Sequence, residues 1–174
     1  MRWFTNRKPV HEESFSRVAC LFTRENEQTG FKEVLYVRSP DGKMFFIPGA
    51  RRIEVPQESE DYKAKQDYQD KLVLMQKMQL DLTVDLVFET IQKYTSFAAP
   101  AFGKEEGTMV ENHYFFAEYK GRLRETPQIY QLEWRSYDFG RTSSEVEVEK
   151  HFTDLDMALM EQLQREGILN SNYR

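Results

Sequence analysis

Between Gln57 and Leu82 the chain contains no proline and no glycine, and it is rich in Lys, Gln, Leu and Met. A stretch of that length and composition predicts one long helix. Tyr68, Leu72, Met75 and Gln79, with Leu82 following, recur at helical spacing and predict the buried stripe. The helix start is left open by several residues, because Ser59 followed by Tyr62 lacks the acid of a capping box. Upstream, Lys43-Met44-Phe45-Phe46-Ile47 reads as a strand that ends in a turn at Pro48-Gly49, and an irregular loop leads on into the helix. A chain built around a strand, a turn, a loop and a long helix must pack that helix against a sheet.

This layout resembles the Nudix family, in which a strand and a Pro-Gly-Gly turn lead into a loop and helix carrying G-x5-E-x7-R-E-U-x-E-E-x-G-U, with U aliphatic. Pro48-Gly49-Ala50 stands at the Pro-Gly-Gly, Arg52-Ile53-Glu54 resembles the Lys-Ile-Glu of the loop, and Glu58-Ser59 its Glu-Ser. Leu82-Thr83-Val84-Asp85-Leu86 resembles the helix exit, with Thr83 at the last Gly. In the family, carboxylates three or four residues apart converge on Mg²⁺, which neutralises a diphosphate and activates a water. The motif's Arg orients them through a bidentate pair.

Counting back from Thr83 places Gln76-Lys77 at the Arg-Glu pair and Leu80-Asp81 at the Glu-Glu pair, so that Asp81 alone keeps a carboxylate. This register leaves seventeen residues, Ser59 to Met75, where the motif has seven. Counting without a gap from Glu58 instead puts Gln66-Asp67 and Asp70-Lys71 at those pairs, but strands the match after Leu82. The gapped register is preferred. In either register the box is degenerate, and the catalytic candidates are Glu58, Asp67, Asp70 and Asp81. The metal candidates are the same four with Glu54, and Mg²⁺ is the cofactor implied if any activity survives.

Further segments carry the resemblance from Ser16 to Leu169. Residues 99–108, Ala-Pro-Ala-Phe-Gly-Lys-Glu-Glu-Gly-Thr, resemble a loop of one Nudix subgroup, Ala-Pro-Ala-His-Gly-Lys-Pro-Glu-Gly-Thr. Phe102 replaces the His and Glu105 the second Pro. Gln128 to Trp134 resembles the subgroup's Glu-Ile-x-Glu-Leu-x-Trp, where an acidic residue can assist catalysis; Gln128 and Gln131 stand at the acidic positions and Glu133 is the carboxylate that remains. The resemblance implies a ligand-binding set of Arg51, Arg52, Phe102, Lys104 and Glu133. A basic residue after the turn can meet substrate phosphates in the family, and Arg51 and Arg52 are equally well read as solvated side chains.

The remaining elements read from pattern. Ser16 to Phe22 has the content of a first strand, and Phe31 to Val37 a second that can pair antiparallel with it. Cys20 in the first is a core residue, since nothing near it in sequence lowers a thiol pKa. Ser39-Pro40-Asp41-Gly42 is a turn. Ile91 to Ala98 reads as a strand. Asn112 to Tyr119 alternates as one, with His113 and Phe115 on one face and Tyr114 and Phe116 on the other; His113 reads as a core or edge histidine rather than a ligand. Thr153 is the expected N-cap of a C-terminal helix with Leu155, Leu159 and Leu163 as its apolar stripe, and Gly167 its C-cap.

With 174 residues, 40% apolar, 13 Phe and 9 Tyr, the chain can build a core of its own. Residues 1–15 are expected to form an arm and 16–174 a single domain. The fold class expected is α+β, a Nudix-like α/β/α sandwich with a mixed sheet. A net charge of -5 argues against a nucleic-acid duplex as partner. The single cysteine and the lack of a long apolar run point to the cytoplasm and away from membranes. Functionally, three readings stand: a binder of a nucleotide or other diphosphate-containing ligand with little or no hydrolysis, which is preferred; a Mg²⁺-dependent pyrophosphohydrolase using displaced carboxylates, so that enzyme activity is left open; and a protein-contact role, with a homodimer as one form.

Overall fold

The computed structural model describes residues 14–40, 45–100, 107–136 and 154–169. In chain order the strands are β1 (Phe15–Leu21), β2 (Thr23–Glu25), β3 (Lys32–Arg38) and β4 (Gly49–Arg51), followed by helix α1 (Tyr62–Leu82). After β5 (Asp85–Leu86) come β6 (Gln92–Pro100), β7 (Met109–Phe116), β8 (Tyr119–Lys120) and β9 (Gln131–Arg135), and helix α2 (Asp154–Arg165) closes the described fold. One sheet has the order β4-β1-β7-β6, a second β2-β3-β9, and β5 pairs with β8.

The two faces of β1 explain the layering. Successive side chains of a strand point to opposite sides. Val18 and Cys20, with Leu35 and Val37 of β3, pack against Val73, Leu74, Met78 and Leu82 of α1. Ala19 and Leu21, with Val34 and Tyr36, pack against Leu159, Met160 and Leu163 of α2. Because both faces are covered, β1 and β3 read as continuous apolar runs. The result is the α/β/α sandwich, with a mixed sheet in which β1 runs parallel to β7 and antiparallel to β4. Cys20 is fully buried, and burial raises its thiol pKa, as suits a core residue.

Several sequence expectations are corrected. β1 does not pair with β3; its neighbours are β4 and β7, while β3 pairs with β2 and β9. The segment expected as a strand before Pro48 contributes only a bridge between Phe46 and Val37, and Lys43 and Met44, like Asp41 and Gly42 of the expected turn, lie outside the described residues. Instead of closing a turn, Gly49 opens β4. Its position demands glycine, because a Cβ there would lie 2.2 Å from the Val18 carbonyl oxygen and 2.9 Å from Ala19 Cα. Asn112 to Tyr119 divides into β7 and β8.

Helix α1 starts at Tyr62, and Asp61 before it has φ 56° and no side-chain capping bond. Its buried face is not the expected one. Tyr68 is 56% exposed and Leu72 37%, whereas Gln66, Asp70, Val73, Leu74, Met78 and Asp81 are buried; Leu82 is buried as expected. Gln66 and Asp70 hold part of that face because their hydrogen bonds are met internally, which apolar periodicity does not register. In α2 the stripe of Leu155, Leu159 and Leu163 is buried as expected. Gly167 adopts φ 76°, and the amides of Ile168 and Leu169 return to the Leu163 carbonyl at 2.9 and 3.1 Å. Thr153 lies outside the described residues. Among the described residues no helix is long and apolar enough to cross a membrane.

Candidate functional site

The end of β4 delivers Arg52 onto the first half of α1. Arg52 Nε donates to Asp70 Oδ1 at 2.9 Å and Nη2 donates to Oδ2 at 2.7 Å, a two-pronged pair in which Asp70 is almost wholly buried. Gln66, one turn earlier, also donates to Asp70 Oδ1 at 2.9 Å. The same amide binds the loop from β4: its nitrogen donates to the Ile53 carbonyl at 3.0 Å and its oxygen accepts from Val55 N at 2.9 Å. Gln66 thus satisfies the backbone of an irregular segment that has no strand to pair with. Burial alone lowers the Arg52 pKa, but the hydrogen bond and charge of Asp70, with Glu54 and Tyr62 adding to them, raise it above its ordinary value.

These residues border an open cavity of about 450 Å³. Helix α1 contributes Tyr62, Lys63, Gln66, Asp67 and Asp70, and β4 is continued by Arg52. Lys93 of β6 with Glu111 and His113 of β7 make the opposite wall. Asp67 is half exposed and paired with Lys71 at 3.0 Å. His113 is 4% exposed, with Glu111 Oε1 2.7 Å from its Nε2. Burial, then the positive charges of Arg52 and Lys93, lower its pKa to about 4, against the opposing pull of Glu111 and Asp70.

Of the residues singled out in the sequence, Arg52, Asp67 and Asp70 meet at this cavity. Others do not. Arg51 lies over the Phe15 ring, 4.2 Å from its centroid. Glu54 and Glu58 are exposed on the loop. Asp81 lies about 16 Å along the helix axis from Asp70, buried, with Lys77 Nζ 3.3 Å from its Oδ2. Leu80 is 59% exposed. Glu133 sits on β9 beside Arg135 at 3.1 Å and is not part of the cavity wall. Phe102 and Lys104 lie outside the described residues. At the helix exit Thr83 takes φ 60°, a left-handed conformation suited to the glycine that the family has there.

The sequence reading passed over Lys63, Lys93 and Glu111, named Gln66 only as a position of the ungapped box register, and read His113 as a core or edge histidine. The first three carry no local signal, since they come from α1, β6 and β7 and meet only in the folded chain. For His113, a lone polar side chain at an inward position of an apolar strand was the available sign.

A divalent cation fits this arrangement poorly. Mg²⁺ needs oxygen ligands free to approach it, and three hydrogen bonds already occupy Asp70. Among the described residues no group of three His, Cys, Asp or Glu side chains is placed to hold a metal ion. What the cavity does offer is three cations, Arg52, Lys63 and Lys93, set beside three carboxylates, Asp67, Asp70 and Glu111, with the buried His113 imidazole in its wall.

No protein-family model matches the sequence, and no curated protein does. Solved structures do match. A Nudix hydrolase from Nitrosomonas europaea superposes with a TM-score of 0.58 at 14% identity, over 91% of this chain and 93% of that one. The E. coli ORF135 protein gives 0.55 at 14% identity, over 87% and 89%. The Nudix domain of Shewanella oneidensis NrtR, solved in complex with ADP-ribose, gives 0.52 at 14% identity, over 95% and 96%. Joined to the mixed sheet between two helices, these matches show that the chain has the Nudix fold.

Proposed function

We propose that this protein binds a nucleotide or other diphosphate-containing ligand and hydrolyses it little or not at all. The observation that carries this reading is the Arg52–Asp70 pair. The most deeply buried carboxylate beside the cavity is neutralised by the protein's own arginine and capped by Gln66. A carboxylate so engaged is a poor ligand for a cation that would activate water. Lys77 and Leu80 stand where the favoured box register has acids, which points the same way.

Binding has its own support. Lys63 and Lys93 both line the cavity, and Arg52 leaves its Nη1 without a bond to Asp70. Hydrogen bonds to charged groups contribute about 1.5–3 kcal/mol each. The ADP-ribose bound by the NrtR domain is a ligand of the chemistry that such a cavity suits.

Thermal shift with ADP-ribose and nucleoside diphosphates, with and without Mg²⁺, tests the reading. Stabilisation independent of Mg²⁺ is expected, with no product on prolonged incubation. Steady Mg²⁺-dependent turnover abolished by Asp67→Asn or Asp70→Asn would show an enzyme using displaced carboxylates. No stabilisation by any of these compounds would favour a protein-contact role.

A further inference from the structure

The charged groups of the cavity wall divide into those the protein satisfies itself and those it does not. Arg52 is taken by Asp70, and Asp67 by Lys71 at 3.0 Å. Lys63, Lys93 and Glu111 are left. Among the described residues neither lysine has an ion pair. The Glu111 side chain is half exposed, and the group beside it is His113, whose Nε2 lies 2.7 Å from Oε1. Burial is the main reason that ring is neutral near pH 7, so it brings Glu111 no counter-charge.

The placement of these groups limits what could satisfy them. Glu111 and Phe115 share one face of β7, and Lys93 is the partner of Phe115 on β6. At about 3.3 Å per residue, the acidic and basic ends of the sheet wall stand about 13 Å apart. A bare diphosphate would meet the lysines and leave Glu111 facing like charge. A diphosphate esterified at both ends carries one negative charge on each phosphorus, which the two lysines match. The wall charge that remains is one carboxylate, and its complement is one cation. A short amino-alcohol chain can carry an ammonium from the diphosphate to Glu111, since the long Lys and Glu side chains close part of the gap.

We propose that the ligand is zwitterionic, a nucleoside diphosphate esterified to an amino alcohol, with Lys63 and Lys93 on the diphosphate and Glu111 on the ammonium. The assignment rests on the binding reading above and adds the chemical class of the ligand. Glu111 is then the specificity residue, because a carboxylate that attracts an ammonium also repels a ligand that ends in phosphate.

Calorimetry with CDP-choline and CDP-glycerol tests the class, since the two share nucleoside and diphosphate and differ in the ammonium. The unaltered protein should bind CDP-choline more tightly by at least about tenfold. Glu111→Gln should weaken CDP-choline by about the same factor. It should also tighten CDP-glycerol slightly, because the negative charge beside its diphosphate is gone. Opposite signs for two ligands are a result that no folding defect can imitate. Glu111→Asp keeps the charge and should keep the preference. ADP-ribose serves as a third probe. Equal affinity for the two cytidine compounds, a preference that survives Glu111→Gln, or ADP-ribose bound in place of both, would overturn the ammonium site and leave the binding reading standing. Failure of all three compounds to bind would remove the binding reading, and this inference with it.

Discussion

Arg52 and Asp70 are joined by two parallel hydrogen bonds, 2.9 Å from Nε and 2.7 Å from Nη2, between the end of a strand and the first half of the long helix. The pair ties the irregular loop to α1 and occupies a carboxylate that would otherwise face the cavity. Removing one partner of a buried pair leaves an uncompensated charge. Arg52→Ala should therefore cost about 3–5 kcal/mol, read by urea unfolding. The double variant Arg52→Met with Asp70→Leu should cost much less, because both charges go together. Additive losses from the two single changes would show that the pair is not coupled.

At Gly49 the constraint is steric. A side-chain carbon would meet the Val18 carbonyl oxygen at 2.2 Å, and that oxygen belongs to a paired strand that cannot step aside. Gly49→Ala should destabilise by about 2–3 kcal/mol, the scale of overpacking. Gly30 offers a contrast, since a Cβ there meets nothing within 4 Å. Its φ of 75° still favours glycine, so Gly30→Ala should cost about 1–2 kcal/mol through backbone strain alone. Thermal melts of the two variants would test the order.

His113 should make stability fall in acid. Its pKa in the folded chain is lowered to about 4, so between there and its ordinary value near 6.5 the unfolded chain binds more protons. Stability then rises with pH across that window, and is lost as pH falls from about 6.5 toward 4. The contribution is on the order of 3 kcal/mol, from about 2.5 units at 1.36 kcal/mol each. Burial is its main cause, Arg52 and Lys93 enlarge it, and Glu111 and Asp70 oppose it. His113→Asn should flatten the pH dependence of urea unfolding over this range. An unchanged slope would show that other groups carry it.

Rebuilding the box tests the register. With Leu80 59% exposed, Leu80→Glu should change stability by no more than about 0.5 kcal/mol. Lys77→Glu removes the partner of buried Asp81, so the full set of Gln76→Arg, Lys77→Glu, Leu80→Glu and Asp81→Glu should be less stable than the parent in chelator and recover on adding Mg²⁺. A folded variant indifferent to Mg²⁺ and Mn²⁺ would count against aligning Thr83 with the last Gly of the box.

What local sequence determined was the kind of most elements, and not always their extent. The apolar run at β1, the unbroken helix that ends at Leu82, the leucine stripe of α2 and the missing acids at Lys77 and Leu80 all follow from residue type and period. Partnership was decided only in three dimensions. β1 chose β7 over the nearer β3, because a strand that must be covered by helices on both faces is placed by the whole sandwich rather than by its neighbour in the chain. The face of α1 turned for a related reason: Gln66 and Asp70 are polar and yet buried, since Arg52 and the Ile53–Val55 backbone reach them from the preceding strand and loop. The cavity follows in turn, as His113, Lys93 and Lys63 share no local pattern and are brought together by the crossing of α1 over the sheet.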